Sequence, residues 1–290
     1  MARGGAGTPL GLVPAQSTLG LRWRRKGPES SEGVTGPNTG RTSQTVERNG
    51  TVVRKFVGML LLGGLVAGLS AIPAAAGEGN LKKFCKTNVA IDASEEGPSD
   101  RLLERLRNTA PPEVADTVDS AVTTFEEQGE DAFGDPTFLD AIAEIDQFVL
   151  DNCDYEQVDV TMEEYSFTGI PDEIEAGTIA FSLTNDGAEL HEFVVFQLRG
   201  DATLDDILEL PEDATEEDFG EFVKPVPGGG FAEPGASDLA LVKLNKDGNY
   251  VAICFIPVGS TDEASAEAAD EAGAPPHFME GMAAEFEVTS

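Results

Sequence analysis

The chain has two histidines, His191 and His277, and three cysteines, Cys85, Cys153 and Cys254. Cys254 ends an apolar run, Asn249-Tyr-Val-Ala-Ile-Cys254-Phe-Ile-Pro257. His277 and Met282 follow in Pro-Pro-His277-Phe-Met279-Glu-Gly-Met282, and His191 stands upstream in Glu189-Leu-His-Glu-Phe-Val-Val-Phe. A thiolate and a thioether are soft ligands, and two imidazoles complete a donor set that favours copper over magnesium or calcium. A bound metal would also hold the thiol deprotonated. Taken singly, each residue has an ordinary reading: a strand-edge histidine satisfied by hydrogen bonds, a lone buried cysteine acting as a small hydrophobe. Their joint order along the chain is what points to a metal.

The elements that must position these residues begin near Gln157, where short β runs separated by turn residues take over. The candidates are Val158–Phe167, Thr178–Thr184, Glu192–Leu198, Leu239–Leu244, Tyr250–Ile256 and Ala283–Val288. Pro171, Gly177, Asn185-Asp-Gly187, Asp247-Gly248 and Gly259 punctuate them. Such a pattern predicts two packed sheets over 156–290. Between Gly200 and Gly235 the pattern is less regular, with a short helix expected over Leu204–Leu210.

This region resembles the cupredoxins, the small blue copper proteins. Val158-Asp-Val-Thr-Met-Glu-Glu-Tyr-Ser-Phe167 and Ile174-Glu-Ala-Gly-Thr-Ile-Ala-Phe-Ser-Leu-Thr-Asn185-Asp-Gly187 look like the opening strands of bacterial members. An Asn-x-Gly turn shortly before the first ligand histidine recurs in that group, as does Cys followed by His-x4-Met. The resemblance implies an all-β, cupredoxin-like Greek-key β-sandwich, preceded here by a small α-helical bundle. It implies one copper ion held by His191, Cys254 and His277, with Met282 as axial ligand, and Met279 and Glu280 standing near as alternatives. It also implies one-electron transfer rather than catalysis. In family members the second histidine follows the cysteine in a tight loop; here 22 residues, 255–276, intervene. The insert Ser260–Ala274 is acidic and alanine-rich and reads as a small helix or lid. Closure entropy grows slowly with loop length, so His277 can still return to the site.

Other chemistries find little support. Two histidines are too few for a multicopper oxidase or a copper nitrite reductase, and a dinuclear electron-transfer copper site needs two cysteines in one loop. No nucleophile elbow, phosphate loop or zinc-protease histidine pair occurs. A copper carrier or buffer, a metal-free interaction module and a mononuclear copper enzyme stay open as alternatives.

Ahead of the β region, 77–155 predicts a helical bundle. Ser99 is placed to cap a helix through Leu106, and Pro111-Pro112 to open another with Val114, Val118, Ala121, Val122 and Phe125 on one face. Asp135-Pro136 starts a third, with Phe138, Ile142, Ile145 and Val149 on one face. Leu81–Ile91 is a fourth candidate. Cys85 and Cys153 bracket the bundle and are expected to form a structural disulfide, since no Cys-x-x-Cys spacing or nearby histidine favours another use.

Residues 1–52 are rich in Gly, Pro, Ser, Thr and Arg and read as disordered or as a misassigned start. Val53-Arg-Lys55, an apolar run from Phe56 to Ile72 and Pro73-Ala-Ala-Ala76 form a signal-peptide pattern over 53–76, with cleavage expected after Ala76. A secreted or extracytoplasmic location follows, and no cysteine after the apolar run offers a lipid anchor. An uncleaved membrane anchor is the rival reading. Formal charge is −34, from 19 basic and 53 acidic residues; removing the nine basic and three acidic residues of 1–76 leaves 10 and 50, a net −40 for 77–290. That surface repels nucleic acid and anionic lipid. It favours a basic redox partner, or solubility in salty surroundings.

Overall fold

The computed structural model describes residues 74–94, 97–211 and 214–290. The expectation of disorder or a misassigned start over 1–52 lies outside them, as does all but the last three residues of the expected signal peptide. Among the described residues, no helix is long and apolar enough to cross a membrane.

Four helices come first: α1 (Ala74–Asp92), α2 (Asp100–Thr109), α3 (Ala115–Gln128) and α4 (Pro136–Asn152). The apolar stripes read from the sequence become their shared core: Val114, Val118, Ala121, Val122 and Phe125 pack with Phe84, Leu103, Leu106, Phe138, Ile145 and Val149. The cap of α4 forms as its sequence requires, with the Asp135 carboxylate accepting from Thr137 N at 2.9 Å and Pro136 in the first turn. Two starts differ from expectation. Ser99 stands at the α2 N-cap without a side-chain capping bond, and α3 opens at Ala115, after a turn in which Val114 N donates to Pro111 O. Cys85 of α1 is bonded to Cys153, the C-cap of α4, with Cα atoms 5.7 Å apart and a sequence separation of 68. In the chain-entropy account, closing a loop of that length contributes about 4 kcal/mol.

Nine strands follow, three more than the sequence candidates. They are β1 (Glu156–Glu163), β2 (Ser166–Thr168), β3 (Glu173–Glu175), β4 (Gly177–Asn185), β5 (His191–Leu198), β6 (Val223–Ala232), β7 (Ser237–Leu244), β8 (Gly248–Ile253) and β9 (Ala283–Thr289). Short helices α5 (Leu204–Leu208) and α6 (Glu216–Phe222) precede β6, and α7 (Glu263–Glu271) lies in the insert after Cys254. One sheet has the order β2-β1-β4-β7 and the other β3-β9-β8-β5-β6. Parallel pairing of β1 with β4 and of β3 with β9 means that the chain crosses between sheets and is not a plain meander. The result is an all-β sandwich preceded by a small helical bundle.

The run expected as one strand over Val158–Phe167 is split into β1 and β2 by a turn at Glu164-Tyr165. β3 escapes a periodicity reading because it is three residues long. β6 is the larger surprise, since Val223-Lys-Pro-Val-Pro-Gly-Gly-Gly-Phe-Ala232 reads as a loop. It is an edge strand, where proline is tolerated. Its glycines let it pass close to β7 of the other sheet: a Cβ on Gly228 would stand 2.6 Å from Leu241 O.

Three layers of packing fix the sandwich. Between the sheets lie Val160, Met162, Phe181, Leu183, Phe193, Val195, Phe286 and their neighbours. The outer face of the first sheet gives Ala180, Leu239 and Leu241 to the helical core, and Asp92 Oδ2 accepts from Leu241 N at 2.9 Å. On the outer face of the second sheet, Val194, Phe196, Val251 and Ile253 pack under Ile207 of α5 and Phe219 of α6. β5 is therefore buried on both faces. Its apolar side chains, Phe193, Val194, Val195, Phe196 and Leu198, each contribute about 1.5–3 kcal/mol by burial, which makes it a firm mount for the residue at its start, His191.

Candidate metal centre

His191 is the first residue of β5, and Cys254 lies one residue past the end of β8. The two strands are antiparallel neighbours, with Val194 opposite Ile253, so these residues reach the same end of the sandwich. His277 opens a 3-10 helix, His277–Glu280, and Met282 stands just before β9. A weave of backbone hydrogen bonds ties this segment to the cysteine. His277 N donates to Ile256 O (2.8 Å), Phe278 N to Cys254 O (3.0 Å), Met282 N to His277 O (3.0 Å) and Cys254 N to Met282 O (3.2 Å).

The insert does not loosen this arrangement. Pro257 and Pro276 form an isolated β-bridge, and Val258 N donates to Pro275 O at 2.9 Å. These contacts close the base of the excursion, leaving α7 beyond the pinch as the small helix anticipated there. What faces the site is a short loop on either side of the bridge.

His191, Cys254 and His277 converge, with one possible ligand atom of each within 4.8 Å of the others. His191 Nδ1 and His277 Nδ1 are 3.1 Å apart, and Cys254 Sγ is 3.4 Å from His277 Nδ1. All three residues are 0% exposed. Glu192 N also points at Sγ, 3.4 Å away. Met282 is likewise 0% exposed and belongs to the same core cluster as Cys254, whereas Met279 is 47% exposed and Glu280 is exposed. Of the three axial candidates, Met282 alone shares the buried environment of the other donors.

The outward ring nitrogens meet carboxylates. Glu189 Oε2 is 3.0 Å from His277 Nε2, and Glu164 Oε1 is 3.5 Å from His191 Nε2. Tyr165 lies over His277 with ring centroids 4.8 Å apart, and its hydroxyl donates to Glu189 Oε1 at 3.3 Å. Asn185, fully buried, shapes the approach to His191: its Nδ2 donates to Glu189 O and Ala232 O, and its Oδ1 accepts from Gly187 N. A Cβ at Gly187 would stand 2.5 Å from Glu164 Oε1, so a side chain there would displace that carboxylate.

Burial pushes His191 down to about 4, with the neighbouring His277 adding to the effect and Glu164 and Glu189 opposing it. His277 is lowered too, again chiefly by burial. Burial drives the Cys254 thiol well above its ordinary value, assisted by the nearby Glu192 carboxylate. With His277 Nε2–H donating to Glu189, its Nδ1 directs a lone pair at a second imidazole and at a sulfur. Such a buried gathering of donors is unfavourable by itself and favourable around a cation. The spacing suits one: donors that each lie about 2.0–2.3 Å from a shared first-row ion stand a little over 3 Å from one another. The cluster could therefore hold one metal ion.

Sequence reasoning passed over Glu164, Tyr165, Glu189 and Glu192. Glu189 and Glu192 carried a local signal, two residues before and one residue after His191. Glu164 is one acid among 53, and Tyr165 an aromatic in a strand-like run.

No protein-family model matches the chain, and neither does any curated protein. Among solved structures it is similar to auracyanin B, at 15% identity over 47% of this chain and 89% of that one, TM-score 0.27. It is similar to auracyanin A, a "blue" copper protein from the green thermophilic photosynthetic bacterium Chloroflexus aurantiacus, at 16% identity over 46% and 98%, TM-score 0.28. It is also similar to rusticyanin from Thiobacillus ferrooxidans, at 16% identity over 46% and 78%, TM-score 0.25.

Proposed function

We propose that this chain is an exported mononuclear copper protein that carries one electron between partners. The observation that supports it is the convergence of two Nδ1 atoms and one thiol sulfur from three fully buried residues, with Met282 buried in the same core as Cys254. Copper, when bound, supplies a one-electron couple whose two oxidation states both accept imidazole, thiolate and thioether. His191, His277 and Cys254 would hold it, and Met282 would serve as the weak fourth ligand. The chain's own contribution is rigidity. β5 is packed on both faces, and the His277–Met282 segment is laced to Cys254, so the donors need not rearrange when charge changes.

Complete burial of the donors speaks against a carrier or buffer, which must hand its ion to a chelating partner at the surface. The charge of 77–290 favours a basic partner, drawn by long-range attraction. The Cys85–Cys153 bond favours an oxidising, extracytoplasmic compartment.

The test is to load the protein with one equivalent of Cu(II) and record visible absorption and EPR spectra. An intense thiolate-to-copper band with narrow hyperfine splitting is the expected result. Absence of stoichiometric copper uptake sinks the reading. A pale spectrum with wide splitting replaces it with an ordinary copper site suited to carriage or catalysis.

A further inference from the structure

We propose that Glu189 and Glu164 are positioning residues that weight this centre toward the more highly charged copper ion. The inference rests on the copper reading above. Each carboxylate sits on the side of its histidine away from the donor cluster: Glu189 Oε2 at 3.0 Å from His277 Nε2, and Glu164 Oε1 at 3.5 Å from His191 Nε2. His191 Nε2 has no hydrogen-bond partner among the described residues, so Glu164 acts on it by charge alone, whereas a carboxylate hydrogen-bonded as Glu189 is at His277 Nε2 keeps the ring proton there, fixes Nδ1 as the donor nitrogen and makes the imidazole a more basic ligand. It also places negative charge one ring away from the ion, a charge that favours Cu(II) over Cu(I).

Neither glutamate is there by the chance of a flexible side chain. Glu164 Oε1 accepts from Ala188 N (2.6 Å) and Glu189 N (2.7 Å). Glu189 Oε2 accepts from Gly259 N (2.5 Å), and its Oε1 from the Tyr165 hydroxyl (3.3 Å). The pair thereby stitches the Glu164-Tyr165 turn to the segment before β5, and that segment to the insert after Cys254. Gly187 completes the cradle, since any Cβ there would collide with the Glu164 carboxylate. The side chains are 18% and 29% exposed for Glu189 and Glu164, so solvent weakens their fields without removing them. Glu189, closer and less exposed, has the stronger hold.

The test uses copper-loaded protein, wild type beside Glu189→Gln, Glu164→Gln and Tyr165→Phe, with reduction followed at an electrode that supplies the electron. The absorption band and EPR spectrum report whether the ligand set is intact, and the reduction potential reports the charge effect. Glu189→Gln is expected to raise the ratio of Cu(I) to Cu(II) affinity by roughly tenfold, a rise of about 59 mV for a one-electron couple. Glu164→Gln moves it the same way by less. Tyr165→Phe moves it the opposite way, because the Glu189 carboxylate loses a donor that disperses its charge. A wild-type protein without the thiolate band overturns the copper reading itself. Unchanged potentials in glutamine variants that keep the wild-type band overturn this proposal alone. If Glu189→Gln does not fold, Tyr165→Phe decides by sign, and an unchanged or raised potential overturns it.

Discussion

The helical bundle and the metal end of the sandwich are built on opposite principles. The bundle encloses an apolar core, closed covalently by Cys85–Cys153, in which every buried stripe gains from its neighbours. The metal end buries two imidazoles, a thiol and the carboxylate-bearing Glu192 where apolar side chains would be more stable. Its order comes from outside the donors: backbone bonds across Cys254–Met282, strands packed on both faces, and glutamates clamped by backbone amides. The bundle is stable because of its contents, and the metal end in spite of them. Cutting the two regions separately should therefore give different signatures.

The largest effect belongs to the metal end. Cys254→Ser replaces the only buried thiol by a near-isosteric hydroxyl, which keeps the volume and loses the soft donor. The thiolate-to-copper band should vanish entirely, while far-ultraviolet circular dichroism stays that of the wild type. A band surviving in this variant would remove Cys254 from the centre. In the bundle, Cys85→Ala with Cys153→Ala should cost about 4 kcal/mol of unfolding free energy, read by denaturant titration. The copper band should not move, since the bond lies among the helices and not among the donors.

This contrast also explains how much was legible in the sequence. Val114, Val118, Val122 and Phe125 announce a helix because an apolar core needs period 3.6, and Asp135-Pro136 announces its neighbour because caps are local. His191, Cys254 and His277 stand out by rarity, two histidines and one unassigned cysteine in 290 residues. The supports are illegible for the same reason reversed: nothing separates Glu164 from the other acids until folding sets it beside His191. β6 is hidden because its glycines answer to a backbone on the other sheet, Leu241 O, which no local pattern records.

A third effect, smaller, follows from the buried imidazoles of the metal-free protein. His191 titrates near 4 when folded, against 6.5 for an exposed histidine. Between those values the unfolded chain binds a proton that the folded chain refuses, so stability falls as pH falls through this window. Linkage gives a loss of about 2 kcal/mol at pH 5 relative to neutral pH from His191 alone. The thiol has the reverse sense. With Cys254 raised by burial, stability is present below its ordinary value near 9 and is lost as pH rises beyond it. Metal-free protein should thus be most stable between about pH 6.5 and 9. Denaturant titrations at pH 5 and 7 on wild type and His191→Asn check this, and an equal acid loss in both would assign it elsewhere. Copper-loaded protein should lose affinity, not only stability, across the same acid range, because protons and metal compete for the same nitrogens.

The smallest effect is expected where the chain departs most from a tight ligand loop. Because Pro257 and Pro276 pair and Val258 N reaches Pro275 O, Thr261 to Gly273 lie beyond a closed base and send Ala266 into the sandwich core. Gly259 and Ser260 must be kept, since Gly259 N holds Glu189 and Ser260 O accepts from Leu190 N at 2.7 Å. Replacing 261–273 by a short Gly-Ser linker removes α7 and its one buried side chain, Ala266. Losing a buried methyl and trading one closed loop for a shorter one costs about 1 kcal/mol or less, as the closure term varies only with the logarithm of length. The copper band and potential should stay at their wild-type values. A shifted band would show that the pinch does not isolate the insert, and would make α7 part of what separates this metal end from the bundle.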